Sequence, residues 1–248
     1  LLQSNKDGLP YDLAHQKFHP DLAQFVTDFG YYDLFLVDAT SGNVIYSVYK
    51  EVDFATNLIN GPYKDSGLAH AFEQARKSAD NSVSMIDYQP YTPSYASPAS
   101  FISTPLFEQG ELVGVLILQL PLDKITQVMN SNFGLGETGE SYLVGSDLKL
   151  RSNSFFDPSM TVAKSFAEPV NRLANHDNIN RALKGEKGII ETTNYNGDAV
   201  LSAFEGINLH GNRWALIAEQ HQSEAFILVS NLATIFTISL IIATGLIA

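Results

Sequence analysis

The chain has 248 residues with 15 basic and 27 acidic side chains, a formal net charge of −12, and no cysteine. That balance, with no long basic block, excludes a phosphate-neutralising face, so no nucleic acid is expected as a partner. The lack of cysteine excludes disulfide staples and thiolate metal sites; it is compatible with a bacterial periplasm and with a chain long enough to fold on its core alone.

In chain order, Tyr11 to Phe29 is mostly polar but places Leu13, Phe18, Leu22, Phe25, Val26 and Phe29 at helical spacing, with Pro20 interrupting. Residues 1–30 read as the end of a long N-terminal helix. Leu34 to Asp38 is a short apolar strand, followed by a turn at Ser41, Gly42 and Asn43 and a second strand from Val44 to Tyr49. A helix around Gly67 to Ser78 carries Leu68, Ala71, Phe72 and Ala75 on one face. Three strands follow, Val83 to Tyr88, Ser100 to Phe107 and Leu112 to Leu120, and then a short helix from Leu122 to Met129.

The same order then recurs. Ser141 to Gly145 is a strand with a turn near Ser146 and Asp147 and an expected partner through Leu148, Leu150 and Ser152. A helix from Asn178 to Lys184 stops at Gly185. Three more strands run over Gly188 to Thr193, Ala199 to Glu205 and Arg213 to Gln220, with Trp214 expected in the sheet core. Two copies of this pattern predict an α+β fold of two tandem modules, 31–130 and 131–221, each an antiparallel sheet flanked by helices. Ile227 to Ala248 contains no charged residue, and as a helix it spans about 33 Å, the thickness of a bilayer core. It predicts a transmembrane helix over 222–248. The economical picture is a periplasmic domain held at the bacterial inner membrane between two passes, the first lying upstream of Leu1.

The segments Tyr32 to Asp38 (YDLFLVD), Val48 to Phe54 (VYKEVDF), Pro90 to Ser94 (PYTPS), Pro98 to Ser103 (PASFIS), Gly114 to Leu120 (GVLILQL) and Gly136 to Gly145 (GETGESYLVG) occur in an order that resembles the double Cache family. These are tandem PAS-like periplasmic sensor domains of bacterial chemoreceptors, sensor histidine kinases and cyclic-nucleotide enzymes. The resemblance covers Tyr31 to Gln220. It implies that the membrane-distal module binds a small extracellular molecule, that the proximal module passes the change towards the membrane, and that the protein is a homodimer through its N-terminal helices.

Asp87 to Ser100 (DYQPYTPSYASPAS) is the candidate ligand loop: prolines restrict it, tyrosines offer flat faces with hydroxyl ends, and serines offer small donors and acceptors. Its candidate residues are Asp87, Tyr88, Tyr91, Ser94, Tyr95 and Ser100, joined by Gln119 at the end of the last strand and by Lys50. The alternative is a rigid surface loop whose tyrosines only cover the sheet. Lys50, Glu51 and Asp53 either supply charge to a pocket or form a solvated strand end. Amino-acid-binding members of the family carry an Arg-x-Trp pair, a tyrosine and two aspartates. Here Tyr91 matches the tyrosine, Pro93 stands where the first aspartate would be, Gln119 falls near the second, and no Arg-x-Trp occurs. An amino-acid ligand is therefore not expected.

Gly134, Gly136 and Gly139 spell G-x-G-x-x-G, but a helix precedes and a strand follows, the reverse of a dinucleotide site, so the turn reading is adopted. His15 and His19 share a helical spacing without a third metal ligand nearby, and no metal or cofactor is expected. No nucleophile elbow, P-loop or zinc-protease motif occurs, so no catalytic residues are assigned and the segment is not expected to be an enzyme; a histidine kinase output domain beyond it stays open. Arg151 pairs either with an anionic ligand or with a carboxylate of its own module. The leading reading is small-molecule sensing and transmembrane signalling. The alternative is a membrane-anchored structural or dimerisation module without a ligand.

Overall fold

The computed structural model describes residues 9–131, 134–168 and 173–247, with the side chains of 228–230 and 242–247 excepted. The elements in chain order are α1 (Pro10–Phe29), β1 (Asp33–Asp38), β2 (Val44–Ser47), α2 (Gly67–Arg76), β3 (Ser84–Tyr91), β4 (Ser97–Glu108), β5 (Glu111–Gln119), α3 (Leu122–Met129), β6 (Glu140–Gly145), α4 (Val162–Ala167), α5 (Asp177–Leu183), β7 (Lys187–Thr193), β8 (Ala199–Leu209), β9 (Asn212–His221), α6 (Gln222–Ala225) and α7 (Ile227–Ile247). The fold is α+β with antiparallel sheets. The chain forms two compact units, the first running to Ile125 and taking in 162–168 and 208–212, the second comprising the remainder.

The first unit is built on a five-stranded sheet, β2-β1-β5-β4-β3. Strand alternation divides its side chains between two layers. Phe35, Val37, Val115, Ile117 and Phe101 meet Leu68 and Phe72 of α2, while Leu34, Tyr46, Val48 and Leu118 meet Val26 of α1. Ser66 starts α2 by accepting a hydrogen bond from the Ala69 amide (3.3 Å). Gly67 lets the helix approach the sheet, since a Cβ there would sit 3.1 Å from the Phe101 ring.

Pro20 lies inside α1 without ending it, and the helix closes at Gly30 in the left-handed conformation. Of its apolar positions only Val26 is fully buried and Leu22 packs beside it; Leu13, Phe18, Phe25 and Phe29 are exposed. His15 and His19 stack with ring centroids 4.3 Å apart. His15 Nε2 hydrogen-bonds Lys50 Nζ (2.7 Å) and His19 Nδ1 hydrogen-bonds the Tyr46 hydroxyl (2.7 Å). The two imidazoles thus fasten α1 to β2 and the turn after it, and no group of three or more metal-ligating side chains occurs among the described residues.

The second unit carries a four-stranded sheet, β6-β9-β8-β7. The expected strand through Leu148, Leu150 and Ser152 does not form; a single bridge, Val144 to Leu150, takes its place. Backbone hydrogen bonds remain from Gly145 to Lys149 and from Arg151 to Leu143, Leu148 takes a left-handed conformation, and the buried Arg151 guanidinium turns back to pair with Asp147 (2.9 Å) and to donate to the Lys149 carbonyl (3.0 Å). It also lies over the buried Trp214 ring, so internal pairing is its role. Helix α4 is an addition to the sequence reading.

The glycine-rich segment is a turn, and its purpose is local. The amides of Glu137 and Thr138 (both 2.8 Å) and the Thr138 hydroxyl (2.5 Å) donate to the Glu224 carboxylate of α6. Gly136, at φ +74°, leaves room for that carboxylate: a Cβ there would collide with Glu224 Oε1. Beyond α6, the run expected as one helix from 222 is broken at Phe226 before α7 begins. Among the described residues no helix is long and apolar enough to cross a membrane; for α7, the side chains of 228–230 and 242–247, and Ala248, lie outside them.

Candidate ligand site

The segment read as a loop from Asp87 to Ser100 is a β-hairpin, β3 and β4 joined by a 3-10 turn at Thr92–Ser94. Tyr95 and Ala96 take left-handed conformations at the tip. The hairpin delivers Tyr91 and Ser94 to the end of the α2-facing layer, where the hydrophobic core gives way to polar groups. Tyr91 is 1% exposed, packs edge-on against Phe101, and donates its hydroxyl to Asp53 Oδ2 (2.5 Å).

Two strand ends complete the cluster. Asp33 opens β1 and is paired in register with Gln119 at the end of β5, so both side chains continue the face that bears Phe35 and Ile117. Gln119 Nε2 lies 3.5 Å from Ser94 Oγ. Asp33 Oδ1 accepts from the amides of Leu34 (2.7 Å), Val48 (3.0 Å) and Tyr49 (3.4 Å). Three acceptors of this cluster have no hydrogen-bond partner among the described residues: Asp33 Oδ2, Asp53 Oδ1 and Gln119 Oε1.

Burial dominates the electrostatics. It raises the Asp33 carboxyl to about 7 despite the three amides that favour its charge, with Asp53 adding to the rise. Burial also raises Asp53, against the stabilising Tyr91 hydroxyl. Near Asp53, burial raises Glu51 too, and that carboxylate receives the Tyr32 hydroxyl (3.3 Å). Concentrated negative charge with unfilled acceptor positions favours a ligand that brings hydrogen-bond donors and positive charge.

Of the residues singled out from sequence, the structure gathers Tyr91, Ser94 and Gln119. Tyr88 is buried, Ser100 is buried with its hydroxyl on the Ile86 carbonyl (2.7 Å), and half-buried Asp87 accepts from the Tyr88 amide (2.7 Å). Lys50 is engaged by His15, with Tyr46 and Phe54 rings beside it. Tyr95 is 96% exposed at the tip, outside the cluster. Sequence reasoning missed Asp33 and named Asp53 only as one of three strand-end charges. The available signal was alternation, since Asp33 shares the parity of Phe35 and Val37. The two motif positions hold Pro93 and Gln119, as read from the sequence; the buried carboxylates of the cluster stand elsewhere, at Asp33 and Asp53.

The family model of the Cache domain, dCache_1, matches residues 3–228. "Probable chemoreceptor y4sI" of Sinorhizobium fredii is 25% identical over 237 residues, which is 94% of this chain and 28% of that protein; the chain thus spans about a quarter of that relative's length. Among solved structures, the ligand-binding domain of the Pseudomonas fluorescens chemoreceptor CtaA in complex with L-isoleucine is 16% identical, with a TM-score of 0.53 and 87% of each chain covered. The periplasmic sensory domain of the Campylobacter jejuni chemoreceptor Tlp1 is 12% identical, with a TM-score of 0.56, 91% of this chain and 84% of the other being covered. Matched over most of its length by the family model, the chain belongs to the Cache domain family.

Proposed function

We propose that the chain is an extracytoplasmic sensor that binds a small molecule bearing an ammonium group in its first unit and signals across the inner membrane. The observation that carries this reading is the set of unfilled acceptors, Asp33 Oδ2, Asp53 Oδ1 and Gln119 Oε1, buried beside Tyr91 and Ser94. An ammonium supplies donors for such acceptors and offsets the paired aspartates, whereas a carboxylate ligand alone would deepen the repulsion. The relative CtaA in complex with L-isoleucine offers a precedent for a ligand of that chemistry. The first unit corresponds to the module 31–130 and acts as the distal one; the second corresponds to 131–221.

Membrane attachment through 222–248 is supported by the exposed Ile235, Phe236, Leu240 and Ile241 of α7, an apolar surface unsuited to water. A homodimer is supported by Leu13, Phe18 and Phe29, left exposed along α1. The segment itself works by binding, without chemistry, and the output is that of a chemoreceptor or a histidine kinase.

The test is a thermal-shift panel of amino acids and primary amines beside their uncharged analogues. Amines are expected to raise the melting temperature of the wild type and to raise it less in Asp53→Asn, while Tyr95→Ala retains the full effect. A panel in which no cationic ligand shifts the wild type would favour the structural, dimer-forming alternative.

A further inference from the structure

The second unit repeats, at the same topological place, the polar pairing seen in the first. Its opening strand residue, Glu140, lies in register opposite Glu219 near the end of β9, as Asp33 lies opposite Gln119. Two glutamates side by side, each 3% exposed, are costly unless something compensates them. Glu140 is well supplied: it accepts from the Tyr195 hydroxyl, the Ser154 hydroxyl (2.7 Å) and the Phe155 amide (3.1 Å). Glu219 has the Tyr142 hydroxyl on Oε2 (3.3 Å), and its Oε1 has no partner among the described residues.

Both glutamates line a cavity of about 280 Å³ whose wall also includes Tyr195, Phe156 and Val200, with Asn196 exposed at its edge. We infer that this cavity is a second ligand site, separate from the first unit's cluster, that takes a small aliphatic amine with its ammonium seated between Glu219 and Glu140. Glu219 Oε1 offers the unfilled acceptor, the glutamate pair the charge, and the aromatic and aliphatic wall a surface for the carbon chain. Glu137 and Asp198 add negative charge to the lining, and His221 Nε2 stands 3.8 Å from Asp198 Oδ2. Burial and the neighbouring Glu140 raise Glu219 to about 8, so the glutamate pair retains a proton that an entering ammonium replaces. The apolar wall favours an organic cation over a bare metal ion, which needs oxygen ligands on most sides.

The experiment is calorimetric titration of the full chain with putrescine, with 1,4-butanediol as the uncharged isostere and with calcium chloride. Putrescine is expected to bind, the diol not. Glu219→Gln should weaken putrescine about tenfold or more, as should Asn196→Trp, which obstructs the cavity mouth from an exposed position. Asp53→Asn should leave that binding component intact, so failure here is distinguishable from failure of the first-unit site. Putrescine affinity unchanged by Glu219→Gln, equal binding of the diol, or calcium in place of the amine overturns the assignment. Should Glu219→Gln fail to fold, unchanged affinity in Asn196→Trp overturns it as well.

Discussion

At the scale of single residues, the first-unit cluster turns on Tyr91. Its hydroxyl is a 2.5 Å donor to a fully buried carboxylate, and a buried acceptor deprived of its donor costs about 1–3 kcal/mol. Tyr91→Phe keeps the ring against Phe101 and removes only that donor. It should lower stability by about that amount at pH 8 and by less at pH 4. The Tyr91 hydroxyl favours the charged form of Asp53, so its loss raises an already raised carboxyl further, and acid protonates Asp53 and relieves the unpaired charge. Denaturant melts at the two pH values measure this; an equal loss at both would show that the charge on Asp53 does not set the cost. The tyrosine was legible in the sequence because prolines frame it. Its partner was not, because Asp53 comes from the stretch after β2 and reaches Tyr91 only through the folded sheet.

At the scale of elements, the turn from Gly134 to Gly139 and helix α6 form one clamp. Two consecutive amides converge on the Glu224 carboxylate, and the hydroxyl and amides that contact it hold its pKa down to about 2. Gly136→Ala forces a Cβ into that carboxylate at a left-handed φ. Hydrogen exchange should then rise at the Glu137 and Thr138 amides and along α6, with little change in β6. Protection unaltered at those amides would mean that another contact holds α6. The carboxylate stays ionised to well below ordinary values, so the wild-type clamp should persist as pH falls to about 3 and open towards 2. Most strands and α2 were readable from alternation and helical spacing, and so was the choice of a turn over a dinucleotide loop. What the glycines hold was not, since Glu224 lies far along the chain. Nor was the shortened pairing after β6, where Leu148 turns left-handed and a buried arginine folds back on its own turn.

At the scale of the whole molecule, each unit buries a carboxyl where its first strand meets its last, Asp33 opposite Gln119 in one and Glu219 opposite Glu140 in the other, and both Asp33 and Glu219 oppose folding as they ionise. A carboxyl whose folded pKa exceeds its unfolded value holds more protons in the native state, so stability falls as pH rises between the two values and is level above them. For Asp33 the window runs from 3.8 to about 7, and for Glu219 from 4.5 to about 8. A tenfold change in proton affinity corresponds to about 1.4 kcal/mol, so each group opposes folding at alkaline pH by something on the order of a few kcal/mol. Glu224 works in the other direction, its contribution being present above 4.5 and lost as pH falls through about 2. The ligand-free protein should therefore be most stable at mildly acidic pH, and its melting temperature at pH 5 should exceed that at pH 8 by about 5 °C or more. Self-repulsion from a net charge of −12 acts in the same sense, so variants separate the causes. Asp33→Asn and Glu219→Gln should each flatten the profile only within their own window, whereas replacing an exposed carboxylate such as Glu111 should leave its shape unchanged. A cationic ligand added at pH 8 should recover stability lost on ionisation, because it adds positive charge beside Asp33 and Glu219. Scanning calorimetry across pH 5 to 8 measures these differences. A wild-type profile that rises with pH would mean that both Asp33 and Glu219 are already neutralised within the fold, and the case for a cationic ligand in either unit would fall with it.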